Sequence, residues 1–383
     1  MDEVEDPPHG IPKILIDLAA RREPDAHSVV DDATIAVAAD HRMTGLLWTW
    51  AVDELDNGSD TRTGLAMQDL RVRAHHAKVW RALQYCVAQL ASIGIDVATV
   101  KGVTAEARWY GRPGERLCSD VDLLISPHQT ERMGEILETL SPGHPWASEI
   151  DALVASGRIQ SIAVWVDGIE IDLHPDLLKL GLPTRGATEH WRRTRPYALP
   201  GGGTVLVLDD TLALFHFLVH LNKDRFQRLL QFADVVHVID AGHIDWDDLI
   251  DLARREGIDV SVRCALQVVL KTMGRPWPDQ LERPRGPRAT LWRAIWRPSV
   301  RLLGTEGRLR FKRRQHWTSF MARGRSAEFL RWWVRDLWPP AVAVNTQYPD
   351  IVGPYLWKLG RGRVQGMVDR RRSLDNLRHR PTP

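Results

Sequence analysis

The stretch SDVDLLIS, residues 119–126, limits the fold of this chain more than any other segment. Its two acids alternate with a valine and then run into a short apolar segment, the pattern of a buried strand. Residues two apart in a strand share a face, so Asp120 and Asp122 project together while Val121 turns toward a core. Burying two carboxylates side by side is costly without partners. The pair therefore needs either neutralising cations or a position at the surface.

The segments around it alternate between helical and strand periodicity. IPKILIDLAARR and TIAVAADHRMTGLLWTWAVDEL, within residues 11–55, predict helices. A long amphipathic pattern runs from Thr63 until Gly94 supplies a helix stop. IDVATV then predicts a short strand ending at Lys101-Gly102, followed by a short helix (VTAEARWY), the loop GRPGER and the strand DVDLLIS. HQTERMGEILETL predicts a helix after Pro127. IQSIAVWVDGIEIDLHP reads as a hairpin, because Asp167-Gly168 is a strong two-residue turn signal. TVLVL, residues 204–208, predicts one more strand, and from Asp210 onward the chain is mostly helical. This divides the chain into a helical region over 1–94, a mixed α/β core over 95–208, and a helical region over 209–383 that is rich in arginine and tryptophan from about residue 283.

Net charge bears on partners. The formal charge is +2, but residues 283–383 carry about 23 Lys and Arg against about six Asp and Glu, which leaves the remainder acidic by about fifteen. Such asymmetry reads either as a surface for a polyanion such as RNA or tRNA, or as arginine-faced helices packed on the acidic body. No apolar run approaches the length of a membrane span, and the acidic N-terminus lacks the features of a secretory signal. The three cysteines, Cys86, Cys118 and Cys264, fit neither a disulfide framework nor a zinc motif, so a cytoplasmic location is expected.

The chemistry rests on the acids. IEIDLH gives Glu170 and Asp172 on one face of a second strand; if that strand lies beside DVDLLIS, three acids converge. Oxygen ligands of this kind suit one or two Mg2+ ions that keep open positions for substrate phosphates. No GxxxxGK[ST] loop, GxGxxG turn, GxSxG elbow or HExxH pair is present, so P-loop, dinucleotide, hydrolase-elbow and zincin readings lack support.

The order VKG, short helix, Arg116, SDVDLLIS and then VDGIEIDLHP resembles the DNA polymerase β-type nucleotidyltransferase superfamily. It is most similar to the bacterial uncharacterised nucleotidyltransferase family, whose members carry an LKG strand end, an R…DIDLL segment and a later DLH. The helix LALFHFLVHLNKDRFQRLLQFADVVHVI and the late segment RDLWPPAVAVNTQYPD extend the likeness over most of the chain. The resemblance implies a polymerase-β-like core with a small mixed sheet, flanked by helical regions. It implies an enzyme that moves NMP from an NTP to a hydroxyl or phosphate of a small-molecule, peptide or sugar acceptor and releases pyrophosphate.

Carried over by residue, Asp120, Asp122 and Asp172 would be the catalytic and Mg2+-binding acids, with two ions, or Mn2+ in their place. Asp172 would also draw the proton from the acceptor. Lys101, Gly102, Arg116 and Ser119 would lie at the nucleotide, and Lys223 is a candidate triphosphate contact. Gly102 is followed by Val103 where the superfamily uses Gly or Ser, so one hydroxyl contact to phosphate is missing. His174 is expected to be a structural hydrogen-bond donor, His220 and Asp234 to support packing, and Glu170 to face solvent. Two alternatives accompany this reading: a toxin-like enzyme that modifies tRNA or other RNA, and a non-catalytic nucleotide-binding or scaffolding member.

Overall fold

The computed structural model describes residues 11–301, except 26, 57–58, 145–146, 149, 156–160, 179–183, 200–201 and 225. The described residues belong to one compact unit, and residues 330–383 lie outside them. Most of the arginine- and tryptophan-rich tract, and with it the RDLWPPAVAVNTQYPD segment, is therefore outside them as well.

Three short helices open the described chain, α1 (Lys13–Ala19), α2 (Asp32–Asp40) and α3 (Thr44–Glu54). The long pattern forms a single helix, α4 (Asp60–Ser92), whose first turn is capped by the Ser59 hydroxyl accepting from the Arg62 amide. Gly94, at φ 70°, lets the chain leave that helix in the left-handed region. Strand β1 (Val97–Thr99) leads through Lys101-Gly102 into α5 (Val103–Trp109), and β2 (Asp120–Ile125) follows the GRPGER loop. A 3-10 turn at Thr130–Arg132 precedes α6 (Met133–Leu140), so the helix begins later than Pro127 suggests. After α7 (Ile150–Ala155) come β3 (Ile162–Val166) and β4 (Ile169–His174). Asp167 and Gly168 between them have φ 49° and 75°, the pair of left-handed residues that a tight hairpin turn requires.

Helix α8 (Ala187–Arg192), strand β5 (Thr194–Ala198) and strand β6 (Thr204–Leu208) complete the mixed region. Five helices follow: α9 (Asp210–Lys223), α10 (Leu229–Ala241), α11 (Trp246–Arg255), α12 (Asp259–Thr272) and α13 (Pro287–Arg301). Sequence reasoning missed β5, which carries Arg195 and Pro196 and alternates poorly. It is a sheet edge, the position at which a proline costs no ladder hydrogen bond. Helices α7 and α8 were missed too; each is six residues, too short for helical periodicity to show.

The six strands form one mixed sheet in the order β3-β4-β2-β1-β6-β5. β2 is antiparallel to β1 and parallel to β4, the crossover passing through α6 and α7. Pairing of β2 with β4 aligns Asp120 with Glu170 and Asp122 with Asp172. On β4, Ile169, Ile171 and Leu173 are buried while Glu170 and Asp172 are half-buried, so the acids share the opposite face. One side of the sheet lies under α4 and α6. The acid side faces α9: Leu124, on the face of Asp122, belongs to an apolar core with Phe215, Phe217 and Leu221. That core also takes in Leu15 and Leu47 from the N-terminal helices and Leu266 from α12, so a continuous interior runs through the described chain.

All three cysteines are buried and unbridged, and burial pushes each thiol up to about 12. Among the described residues, no helix is long and apolar enough to cross a membrane.

Candidate active site

The register of β2 against β4 decides the geometry. Asp122 and Asp172 stand side by side on adjacent parallel strands, and His174 follows two residues along β4 on the same face. His174 Nε2 lies 2.9 Å from Asp122 Oδ1 and 3.5 Å from Asp172 Oδ2. A carboxylate only accepts, so Nε2 carries the hydrogen and donates it to Asp122. Oxygen and nitrogen atoms of Asp122, Asp172 and His174 all lie within 4.8 Å of one another. Asp122 is buried, whereas Asp172 opens on a cleft.

Lys101 supplies the neutralising cation that a buried acid needs. Its Nζ lies 3.1 Å from Asp122 Oδ2 and 3.3 Å from His220 Nε2. An ammonium has no acceptor, so His220 Nε2 must accept; His220 Nδ1 then carries the proton and faces Asp224 Oδ2 at 3.1 Å. Asp224, His220, Lys101, Asp122 and His174 thus form a continuous chain of polar contacts across the face of the sheet. Burial opposes the charge on Lys101, but Asp122 and then Asp120 outweigh it and hold its pKa above the ordinary value. Burial, reinforced by the Lys101 charge, lowers the pKa of His220 and keeps its ring neutral. His216, one turn earlier on α9, is also buried and held well below the usual histidine range, first by burial and then by His220 and Lys101.

Asp120 occupies the mouth of the strand, half-buried, and accepts from the Ser119 hydroxyl at 3.0 Å. The Arg42 guanidinium donates to that same Ser119 oxygen at 2.9 Å. Arg42, Lys101, Ser119, Asp120, Asp172 and Arg228 line a cleft of about 230 Å3, with His220 and Asp224 on its α9 side. Gly102 also borders it; at φ 74° and ψ −136° it holds a backbone conformation that side chains rarely adopt.

Arg116 reaches the cleft wall, yet its guanidinium is buried and committed to Asp234. Nε and one terminal nitrogen meet the two carboxylate oxygens at 2.7 and 2.8 Å. Tyr110 donates to the same acid at 2.7 Å, and Asp234 keeps Arg116 well above the ordinary arginine range in spite of burial. Glu170 is half-buried opposite Asp120. Lys223 ends α9, and its side chain lies outside the described residues.

The structure therefore brings Asp120, Asp122, Asp172, Lys101, Gly102 and Ser119 to one place and sets Arg116 in its wall. Sequence reasoning missed Arg42 and Asp224, and gave Arg228 no role. None lies in a motif, and Arg42 joins the site only through tertiary contact. His220 is more than a packing residue, since it bridges Lys101 and Asp224. Its i, i+3 spacing to Lys223 and i, i+4 spacing to Asp224 was the available signal.

The donor set fits a hard divalent cation. Two carboxylates from neighbouring strands converge beside an open cleft, and the imidazole between them holds one acid in place as a donor.

Comparison with known proteins gives a family. The model of a family of uncharacterised nucleotidyltransferases matches residues 27–274, well over half of the chain and all of the site. The chain belongs to this nucleotidyltransferase family. The matched span runs from the N-terminal helices to the end of α12 and so covers the positions of Arg42 and Arg228 as well as the sheet. Among solved structures, an antigenic nucleotidyltransferase-like protein from Paracoccidioides brasiliensis is similar at 16% identity and a TM-score of 0.30, over 51% of this chain and 87% of that one. No curated protein matches the chain.

Proposed function

We propose that this nucleotidyltransferase moves a nucleoside monophosphate from an NTP to a hydroxyl group of a small-molecule, peptide or sugar acceptor, with Mg2+ as its cation and Mn2+ able to replace it. The observation that carries this reading is the in-register pair Asp122 and Asp172, the second of which opens on a cleft lined by Arg42, Lys101 and Arg228. Acids beside a cationic cleft suit both a polyphosphate and its counter-ions, whereas a cleft of one sign of charge would suit only one of them. Asp120, Asp122 and Asp172 would hold the cation, which would offset phosphate charge and acidify the acceptor hydroxyl.

The chain's own side chains have distinct tasks in this scheme. His174 fixes the Asp122 carboxylate by donating to Oδ1, and Lys101 balances its charge from Oδ2. Asp172, the more accessible of the paired acids, accepts the proton of the acceptor hydroxyl as its oxygen attacks the α-phosphorus. The bond from that phosphorus to the bridging oxygen breaks, and pyrophosphate leaves with the bonding electrons. Positive groups in the cleft stabilise the charge that builds on the leaving group.

The test is incubation of the full chain with each labelled NTP and Mg2+, together with separated metabolite and RNA fractions from cells. Metal-dependent label in a metabolite or peptide fraction is the expected result. Label in the RNA fraction alone would replace the acceptor class with RNA. No transfer to any fraction, with no NTP bound, would overturn the proposal.

A further inference from the structure

Buried and half-buried arginines in this molecule are generally matched to acids: Arg108 to Asp210, Arg116 to Asp234, Arg193 to Asp209 and Asp248, and Arg275 to Asp240. Two in the cleft are not. Arg42 donates to the Ser119 hydroxyl and, among the described residues, has no ion pair. The half-buried Arg228 guanidinium has neither hydrogen bond nor ion pair among the described residues. The two lie close enough that, after burial, Arg228 is the largest influence lowering the pKa of Arg42.

Holding them together requires dedicated structure. Arg42 has φ 60°, in the left-handed region that costs a non-glycine residue about 1–2 kcal/mol. The neighbouring His41 is fully buried: its Nδ1 accepts from the Leu229 amide at 3.1 Å and its carbonyl accepts from the Leu230 amide at 3.4 Å. These bonds staple the α2–α3 connection to the start of α10, which sets Arg42 beside Arg228. They also occupy amides that the N-terminus of α10 would otherwise offer to an anion, so the guanidinium groups are what faces the cleft.

Two like charges, kept together with no ion pair of their own among the described residues and with a strained backbone under one of them, form a site for a multiply charged anion. We propose that Arg42 and Arg228 bind the β- and γ-phosphates of the nucleotide and the pyrophosphate product. This rests on the nucleotidyl-transfer reading and assigns the part of the cleft that takes the polyphosphate. The pair supplies the contacts that a Gly-Ser loop would give and that Gly102-Val103 lacks. Planar guanidinium forks suit this task, since each presents two parallel N–H groups to phosphate oxygens. Arg116 does not share it, because its Nε and one terminal nitrogen are held by Asp234 and the other terminal nitrogen meets Cys118 Sγ at 3.3 Å.

The test uses the full-length protein, pyrophosphate as the probe and calorimetric titration in Mg2+ buffer. Arg42→Gln and Arg228→Gln are compared with Arg254→Gln, a surface arginine paired with Asp251. Each cleft variant is expected to weaken pyrophosphate binding about 10- to 100-fold, the range for lost hydrogen bonds to a charged group. The surface variant is expected to match the unmodified protein. KM for the NTP should rise by a comparable factor, and kcat should fall as well, because charge builds on these phosphates as pyrophosphate leaves. Arg228→Gln guards against misfolding at the strained Arg42 position, and equal thermal unfolding confirms the fold. Pyrophosphate bound equally by the unmodified protein and both cleft variants would overturn the arginine assignment and leave nucleotidyl transfer standing. A protein that binds neither pyrophosphate nor any NTP would overturn both.

Discussion

Replacing Asp122 with asparagine separates what this acid does for the fold from what it does for the reaction. Asp122 is 1% exposed and meets Lys101 at 3.1 Å and His174 at 2.9 Å. Removing one member of a buried ion pair costs about 3–5 kcal/mol, mostly because the other charge is stranded. Two features place this case at the low end. The Lys101 side chain is 18% exposed, and it keeps the attraction of Asp120. Repulsion from Asp172 is also relieved, so the expected destabilisation of Asp122→Asn is about 3 kcal/mol. Adding Lys101→Met removes the stranded cation and should restore roughly 2 kcal/mol of that loss, a coupling of the size found between contacting residues. Urea unfolding of the two single variants and the double variant measures this cycle. Nucleotidyl transfer should be lost in every variant that lacks Asp122. An Asp122→Asn protein as stable as the parent, or a double variant in which the two losses simply add, would refute the pairing argument.

Three further outcomes follow from the same geometry. Asp172→Asn should lower kcat by about 1000-fold or more, since it removes a proton acceptor and a cation ligand together, while changing stability by less than about 1 kcal/mol at this half-exposed position. Asp234→Asn should strand the buried Arg116 and cost about 3–5 kcal/mol in urea unfolding, with NTP affinity in the folded protein little changed. Stability should also fall on mild acidification. Burial holds His190 and His237 down to about 4 against an ordinary 6.5. Their folded-state pKa values are depressed, so their contribution is complete above pH 6.5 and is lost as pH falls toward 4. Between pH 7.5 and pH 5 each should cost on the order of 2 kcal/mol, and a flat unfolding profile across that window would contradict the assignment.

Much of the central sheet was legible because its signals are local. The alternation in DVDLLI and IEIDLH and the Asp167-Gly168 turn each specify a conformation within a few residues, and all three appear as read. The acids could be assigned to faces for the same reason, since a period of two fixes direction once the strand is known. Whether the two faces met depended on strand order, and that is set by packing over α9 rather than by either strand. Partners of the acids were hardest to see. Lys101 lies 21 residues before Asp122, and its link to His220 spans 119 positions. Arg42 reaches the site through His41 contacts to Leu229 and Leu230, the first of them 188 positions away. Arg116 looked like a phosphate contact because its pairing with Asp234, 118 positions on, leaves no local trace.

The central claim is that this site transfers the α-phosphoryl group with its nucleoside and expels pyrophosphate. One measurement addresses it directly: parallel reactions with NTP labelled at the α-phosphate, at the γ-phosphate and in the base, using the parent protein and Asp172→Asn. The account predicts that α- and base labels enter the acceptor together, that γ-label appears in pyrophosphate, and that the variant does neither. Transfer of γ-label to the acceptor, or α-label transfer undiminished in Asp172→Asn, would contradict it.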